Sequence, residues 1–366
     1  MLQTPLLSAL ALAICCSAFA FQPAPSRNLF VATNLSSTMG AISVVDTAPP
    51  WAATPLAATA SPDSIVHVFN GQLYVLGRHD RTVQVRALPG LGLIQQFSIP
   101  QVIAPRDLAM VGPTMALISD HDSAHVWWLD TATGVVSVGQ DLSAYADADR
   151  LPDVSMMEVV GMRVYLQMQR YDRNAYTEHG AMLAVLAPGF NPNPPVILES
   201  VIELKGLRPE YRMQLSKGGD RLWVSCAGVD NDWGGWVPTG IEEVDLNAGR
   251  TMGFVLTEFQ CGADLGPYVM VDDDKGFAIA HTSIVASTHL RVFRRGMGQL
   301  AELHVSINGR VDTIAFDDAR RQVFYPVPDG GGIAGGVLVF DADTDVQLSP
   351  APIGVGGNPF DMIVGP

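Results

Sequence analysis

Histidine and carboxylate are the side chains whose placement here could do chemistry. Six of the eight histidines fall in polar loops that follow short apolar segments: His79, His121, His125, His179, His281 and His289. Two are followed directly by an acid, in His79-Asp80 and His121-Asp122. Imidazole and carboxylate from neighbouring loops are the donors a zinc or other transition-metal site uses. A carboxylate beside an imidazole also orients it as a general base. His79, His121, His125 and His179 are therefore the candidate ligands of a divalent metal. Surface loops are also where a solvated histidine costs least, and none of the four has the tight spacing of a ligand motif. Scattered solvated histidines are the preferred reading, and no cofactor is expected.

A second set stands at the approaches to apolar segments: Asp63, Asp107, Asp153, Tyr211, Asp312 and Asp361, with Arg106, Arg212 and Arg310 interspersed. Acids and arginines so placed either hold a polar ligand or pair with one another and cap turns. Asp63, Asp107, Tyr211, Arg212, Asp312 and Asp361 are the candidate ligand-binding residues. Trp233 and Trp236 join them: the loop Trp233-Gly234-Gly235-Trp236 offers a stacking platform for a sugar ring, or a lid folded back on the protein. The acidic loop with Asp141, Asp147, Asp149 and Asp153 reads as solvated surface rather than a cation site. There is no Gly-x-Ser-x-Gly elbow, phosphate loop, Cys-x-x-Cys-His or His-Glu-x-x-His.

A net charge of −15 argues against nucleic acid as partner, because phosphates would be repelled. Residues 6–20 form an apolar run of signal-peptide length, too short to span a bilayer, and Ala18-Phe19-Ala20 fits a cleavage site. The expectation is a leader over 1–20 and a single domain over 21–366, exported to the periplasm, cell surface or medium. No other run is long enough to cross a membrane. Two cysteines follow the leader, Cys226 and Cys261. In an exported protein they are expected to pair, two separate buried thiols being the alternative.

The elements that must position these groups repeat. Seven short strands stand out: Leu29-Phe30-Val31, Leu73-Tyr74-Val75, Met115-Ala116-Leu117, Val164-Tyr165-Leu166, Leu222-Trp223-Val224, Phe277-Ala278-Ile279 and Val323-Phe324-Tyr325. Their middle residues lie 44, 42, 49, 58, 55 and 46 apart, close to a propeller blade period. A strand often ending in Asp follows several of them, as in Val126–Asp130 or Val337–Asp341. First strands precede six, at 64–69, 107–111, 154–160, 211–216, 268–272 and 312–316. The strand at Phe30 has none ahead of it, and residues 358–364 supply the missing one. The expected fold is all-β, a seven-bladed β-propeller of four-stranded blades closed by the C-terminal strand pairing into the N-terminal blade.

Leu73-Tyr74-Val75, Val44-Val45-Asp46-Thr47, Leu129-Asp130-Thr131-Ala132-Thr133-Gly134 and Val355-Gly356-Gly357-Asn358-Pro359 resemble the YVTN-type β-propeller repeat. The resemblance implies the fold and an exported compartment, and only weakly an activity. The function expected of a chain without a catalytic motif is a non-enzymatic binding or scaffold propeller, holding a protein, glycan or small ligand at the channel mouth as a monomer. The alternative is an exported enzyme of lactonase or lyase type that uses a His/Asp metal or acid–base site.

Overall fold

A computed structural model describes residues 27–189, 196–227, 238–282, 287–296, 300–306, 309–330 and 335–366. The expected leader over 1–20, Trp233 and Trp236 lie outside the described residues. Seven four-stranded antiparallel sheets account for nearly all the regular structure. Each is a blade, and in six of them the inner strand comes first and the later strands step outward. Blade 2, for example, runs Ile65–Phe69, Gln72–Gly77, Thr82–Ala87, Leu93–Ser98.

Blade 1 is assembled from both ends of the chain. Its inner strand is Asn358–Gly365, paired with Asn28–Asn34 in the register Leu29↔Val364, Phe30↔Ile363, Val31↔Met362. The register slips once, Ala32 facing Asp361 and Thr33 facing Pro359, so Phe360 is the extra residue of a bulge. A bulge re-aims side chains at a sheet rim, and here Phe360 and Asp361 both reach the mouth of the central channel.

Period-two alternation explains why the blades pack into a ring. Leu29 and Val31 point into the cluster shared with blade 7, while Phe30 and Ala32 point into that shared with blade 2. The same division repeats round the disc, giving seven apolar clusters for seven blade interfaces.

Three features depart from expectation. The inner strands of blades 5 and 7 shrink to Gln214–Leu215 and Ala315–Asp317. In blade 5 the missing ladder is replaced by side chains, since Gln169 Nε2 donates to Pro209 O at 3.0 Å and Gln167 Nε2 to Tyr211 O at 2.9 Å. Blade 4 carries an extra hairpin, Tyr171–Asp172 with Thr177–Glu178. Cys226 and Cys261 do not form the expected disulfide; both are free and buried. Cys226 packs in the interface of blades 4 and 5, against Gly206, where an added Cβ would lie 2.5 Å from the Cys226 Cβ. Cys261, on the one-turn helix Glu258–Cys261, packs in the next interface round the ring. Two thiols committed to different clusters stay apart, and burial pushes both pKa values up, that of Cys261 to about 11.

Candidate functional site

The starts of the inner strands and the ends of the second strands share one rim, where the channel opens into a cavity of ≈ 350 Å³. Blade 2 contributes Asp63, Ile65 and Arg78, and blade 3 contributes Arg106. Blade 4 gives Met156, blade 5 gives Arg208, Glu210, Tyr211, Arg212 and Ala227, blade 7 gives Arg310 and Asp312, and blade 1 gives Phe360 and Asp361. Five guanidinium groups therefore face four carboxylates in a chain whose net charge is −15.

The pairings decide which groups stay available. Asp361 is consumed: its carboxylate takes a two-point contact from Arg212, Nη2 to Oδ2 at 2.5 Å and Nε to Oδ1 at 3.2 Å, and accepts from Val66 N at 2.8 Å. Glu210 accepts from Arg106 Nη2 at 2.6 Å; burial pushes its carboxyl up, but Arg106, Arg310 and Arg208 outweigh this and hold it below the usual range. Arg310 Nη2 donates to the Tyr211 hydroxyl at 2.6 Å. Burial raises the Tyr211 pKa, so the phenol stays neutral.

Asp312 and Arg78 are less engaged. The Asp312 side chain is 44% exposed within the recess, and its contact with Arg310 Nε is 3.4 Å. Burial among the surrounding walls raises its pKa, opposed by Arg310 and reinforced by Glu210. Arg78 spends its Nε on Pro105 O at 3.2 Å and lies 5.8 Å from the Phe360 ring centroid, with no carboxylate partner among the described residues. Burial, then the nearby Arg106 charge, pushes its pKa down to about 10. A guanidinium crowded by another cation, with Asp63, Asp312 and Glu210 nearby but none hydrogen-bonded to it among the described residues, is placed to receive an anion. Asp63 and Arg208 hold left-handed backbones, φ 53° and 46°. Asp63 is clamped by Asn34, whose Nδ2 donates to Oδ1 at 2.6 Å and whose Oδ1 accepts from the Asp63 N–H at 2.8 Å. Strained non-glycine residues on the rim of one cavity fit a functional site.

Of the expected ligand-binding residues, Asp63, Tyr211, Arg212, Asp312 and Asp361 line this cavity. Asp107 does not: it is buried beneath the rim, 2.7 Å from His67 Nε2, and accepts from Met157 N at 2.8 Å. Sequence reasoning missed Arg78, Arg208 and Glu210. The alternating charges of Arg208-Pro209-Glu210-Tyr211-Arg212 before a strand were the signal that could have found the last two.

The four candidate metal ligands lie in separate surroundings. His79 is exposed. His121 Nδ1 lies 3.3 Å from Val154 O, and burial, with Arg106 and Arg173 nearby, lowers its pKa to about 4. His125 Nδ1 meets Ser123 Oγ at 3.2 Å, its ring edge-on to Trp127. His179 sits by the extra hairpin, its N–H donating to Arg170 O at 3.1 Å. Among the described residues the group that could hold a metal ion is Asp147, Asp149 and Asp153, with carboxylate oxygens within 4.8 Å of one another. Arg173 already supplies positive charge there, Nη2 donating to Asp153 Oδ1 at 2.5 Å.

The fold and site thus define a seven-bladed propeller with a charged recess at one channel mouth. No protein-family model matches the chain, and no curated protein does. Solved structures do. A putative 6-phosphogluconolactonase from Bacteroides uniformis has a TM-score of 0.63 at 13% identity, with 93% of this chain and 99% of that one covered. A second, from Bacteroides fragilis, gives 0.62 at 12% identity, over 94% and 100%. A periplasmic gluconolactonase from Pseudomonas aeruginosa gives 0.59 at 14% identity, over 93% and 99%. At these identities the likeness establishes the shared fold. Because all three neighbours bear lactonase names, the expectation of a non-enzymatic scaffold is corrected: they favour the enzyme alternative. No helix among the described residues is long and apolar enough to cross a membrane.

Proposed function

We propose that this chain is an exported propeller hydrolase of lactonase type, opening the lactone ring of a sugar that carries an anionic group. The observation that carries the reading is the convergence of five arginines with a loosely held Asp312 in one recess of an acidic protein. Planar, permanently charged guanidinium groups suit a carboxylate or phosphate on a polyhydroxylated substrate. The leader-like run over 1–20 and the YVTN-like repeats support export, as does a periplasmic enzyme among the neighbours.

The steps follow from the pairings. Arg78 takes the substrate's anionic group, and Asp63 accepts from its hydroxyls. Asp312, its carboxylate made more basic by burial, takes a proton from water as the water oxygen bonds to the lactone carbonyl carbon. Arg106, whose buried Nε has no hydrogen-bond partner, faces the oxyanion that develops. The ring C–O bond then breaks, and the departing alkoxide takes the proton from Asp312. The product is a hydroxy acid.

The test is hydrolysis of gluconolactone, with and without a 6-phosphate, followed by proton release. The phosphorylated lactone is expected to be preferred by roughly tenfold or more in kcat/KM, a preference lost in Arg78→Gln. Hydrolysis of neither lactone above the spontaneous rate contradicts the reading.

A further inference from the structure

Beyond the Arg212–Asp361 pair the channel opens into a second cavity of ≈ 300 Å³, on the side toward which the inner strands of blades 1 to 4 run. Arg212 is the one lining residue the two cavities have in common. The walls of the second are mostly apolar, with Val68, Phe69, Leu108, Met110 and Ile363 prominent. Polar groups interrupt them at His67, Glu158 and Arg212. The first is held by Asp107, whose carboxylate also accepts from the Leu108 and Met157 N–H groups at 2.8 Å each. Arg212 has its charge matched by Asp361. Glu158 is different: it lines the cavity, and its carboxylate makes no hydrogen bond or ion pair with any described residue, Arg212 acting on it only through its charge.

One unmatched carboxylate in an apolar chamber selects its ligand by charge and by surface. A hard metal ion needs several oxygen donors, and the other carboxylates nearby, Asp107 and Asp361, are already engaged. An organic cation needs one counter-charge and an apolar wall for its hydrocarbon body. We propose that this second cavity binds a small organic amine, its ammonium group on Glu158 and its body against Val68, Phe69, Leu108, Met110 and Ile363. The site is separate from the arginine-lined recess and does not depend on the lactonase reading.

Burial pushes Glu158 up to about 7, opposed by Arg212 and reinforced by Asp107. His67 and Tyr268 are the other titratable groups near it. Amine binding should therefore weaken below neutrality as the carboxyl takes up a proton.

Calorimetry at pH 8 with benzylamine and its near-isostere benzyl alcohol tests the proposal. Benzylamine is expected to bind once per chain and roughly tenfold or more tighter than the alcohol, since a hydrogen bond to a charged partner separates them. Glu158→Gln erases the difference, and lowering wild-type protein to pH 6 shrinks it. Equal affinity for amine and alcohol overturns the proposal, as does amine binding unchanged in Glu158→Gln or no amine binding at millimolar concentration. The amine–alcohol comparison on wild-type protein decides alone if the variant does not fold.

Discussion

Arg212 of blade 5 reaches across the channel to Asp361 of blade 1, 149 residues away, and closes it with a two-point contact of 2.5 and 3.2 Å. The same Arg212 Nη2 donates to Val66 O at 2.9 Å, and Val66 N donates back to Asp361, so three blades meet at one ion pair. It is also the septum between the two cavities. The Asp361 side chain is 5% exposed and that of Arg212 30%, so the pair is largely desolvated.

Breaking one side of such a pair costs more than replacing both. Asp361→Asn leaves a partly buried guanidinium uncompensated and should destabilise by roughly 3 kcal/mol. Pairing Arg212→Met with Asp361→Leu should recover part of that loss. Denaturant unfolding measures both; an effect of Asp361→Asn below about 0.5 kcal/mol shows that the septum is not structural.

Ring closure depends on residues 358–366. Removing them strips the inner strand from blade 1, exposes the edge of Asn28–Asn34 and uncovers Leu29, Val31 and Phe30. The truncated chain should be insoluble or should lose its cooperative melt. An unchanged melting temperature refutes closure.

Stability should fall as pH rises through neutrality. The folded-state pKa of Asp153 is raised by burial to about 6, against Arg173, and that of Glu158 to about 7, against Arg212. A carboxyl raised on folding contributes stability fully below its unfolded value, near 4, and loses it as pH climbs through the folded value. Each such group sets a slope of at most about 1.4 kcal/mol per pH unit between those limits. Melting curves from pH 5 to 8 should therefore decline, and Glu158→Gln should flatten part of the decline. Parallel curves for the two proteins contradict the assignment.

The ring was legible in the sequence because each blade is sandwiched between two others. Both faces of a second strand such as Leu29–Val31 must then be apolar, and that pattern recurs at a blade period. The rim acids were legible for a related reason: inner strands all start at the same mouth, so Asp63, Asp312 and Asp361 had to share it. Arg78 was not, because it stands beside His79 at the end of a second strand and the histidine drew the chemistry. The short inner strand of blade 5 depends on Gln167 and Gln169, which lie 44 and 40 residues upstream of the carbonyls they hold, and no local pattern announces that. Cysteine counting failed because Cys226 and Cys261 serve adjacent apolar clusters, a division set by strand register rather than by spacing.

The proposed lactone hydrolysis turns on Asp312 as its base. Initial rates on 6-phosphogluconolactone for wild type and Asp312→Asn, across pH 5 to 8, measure this. The expected result is a wild-type acid limb with an apparent pKa above the ordinary carboxylate range, and a kcat lowered roughly 10²–10⁴-fold in the variant with KM little changed. An Asp312→Asn enzyme that keeps wild-type kcat contradicts it.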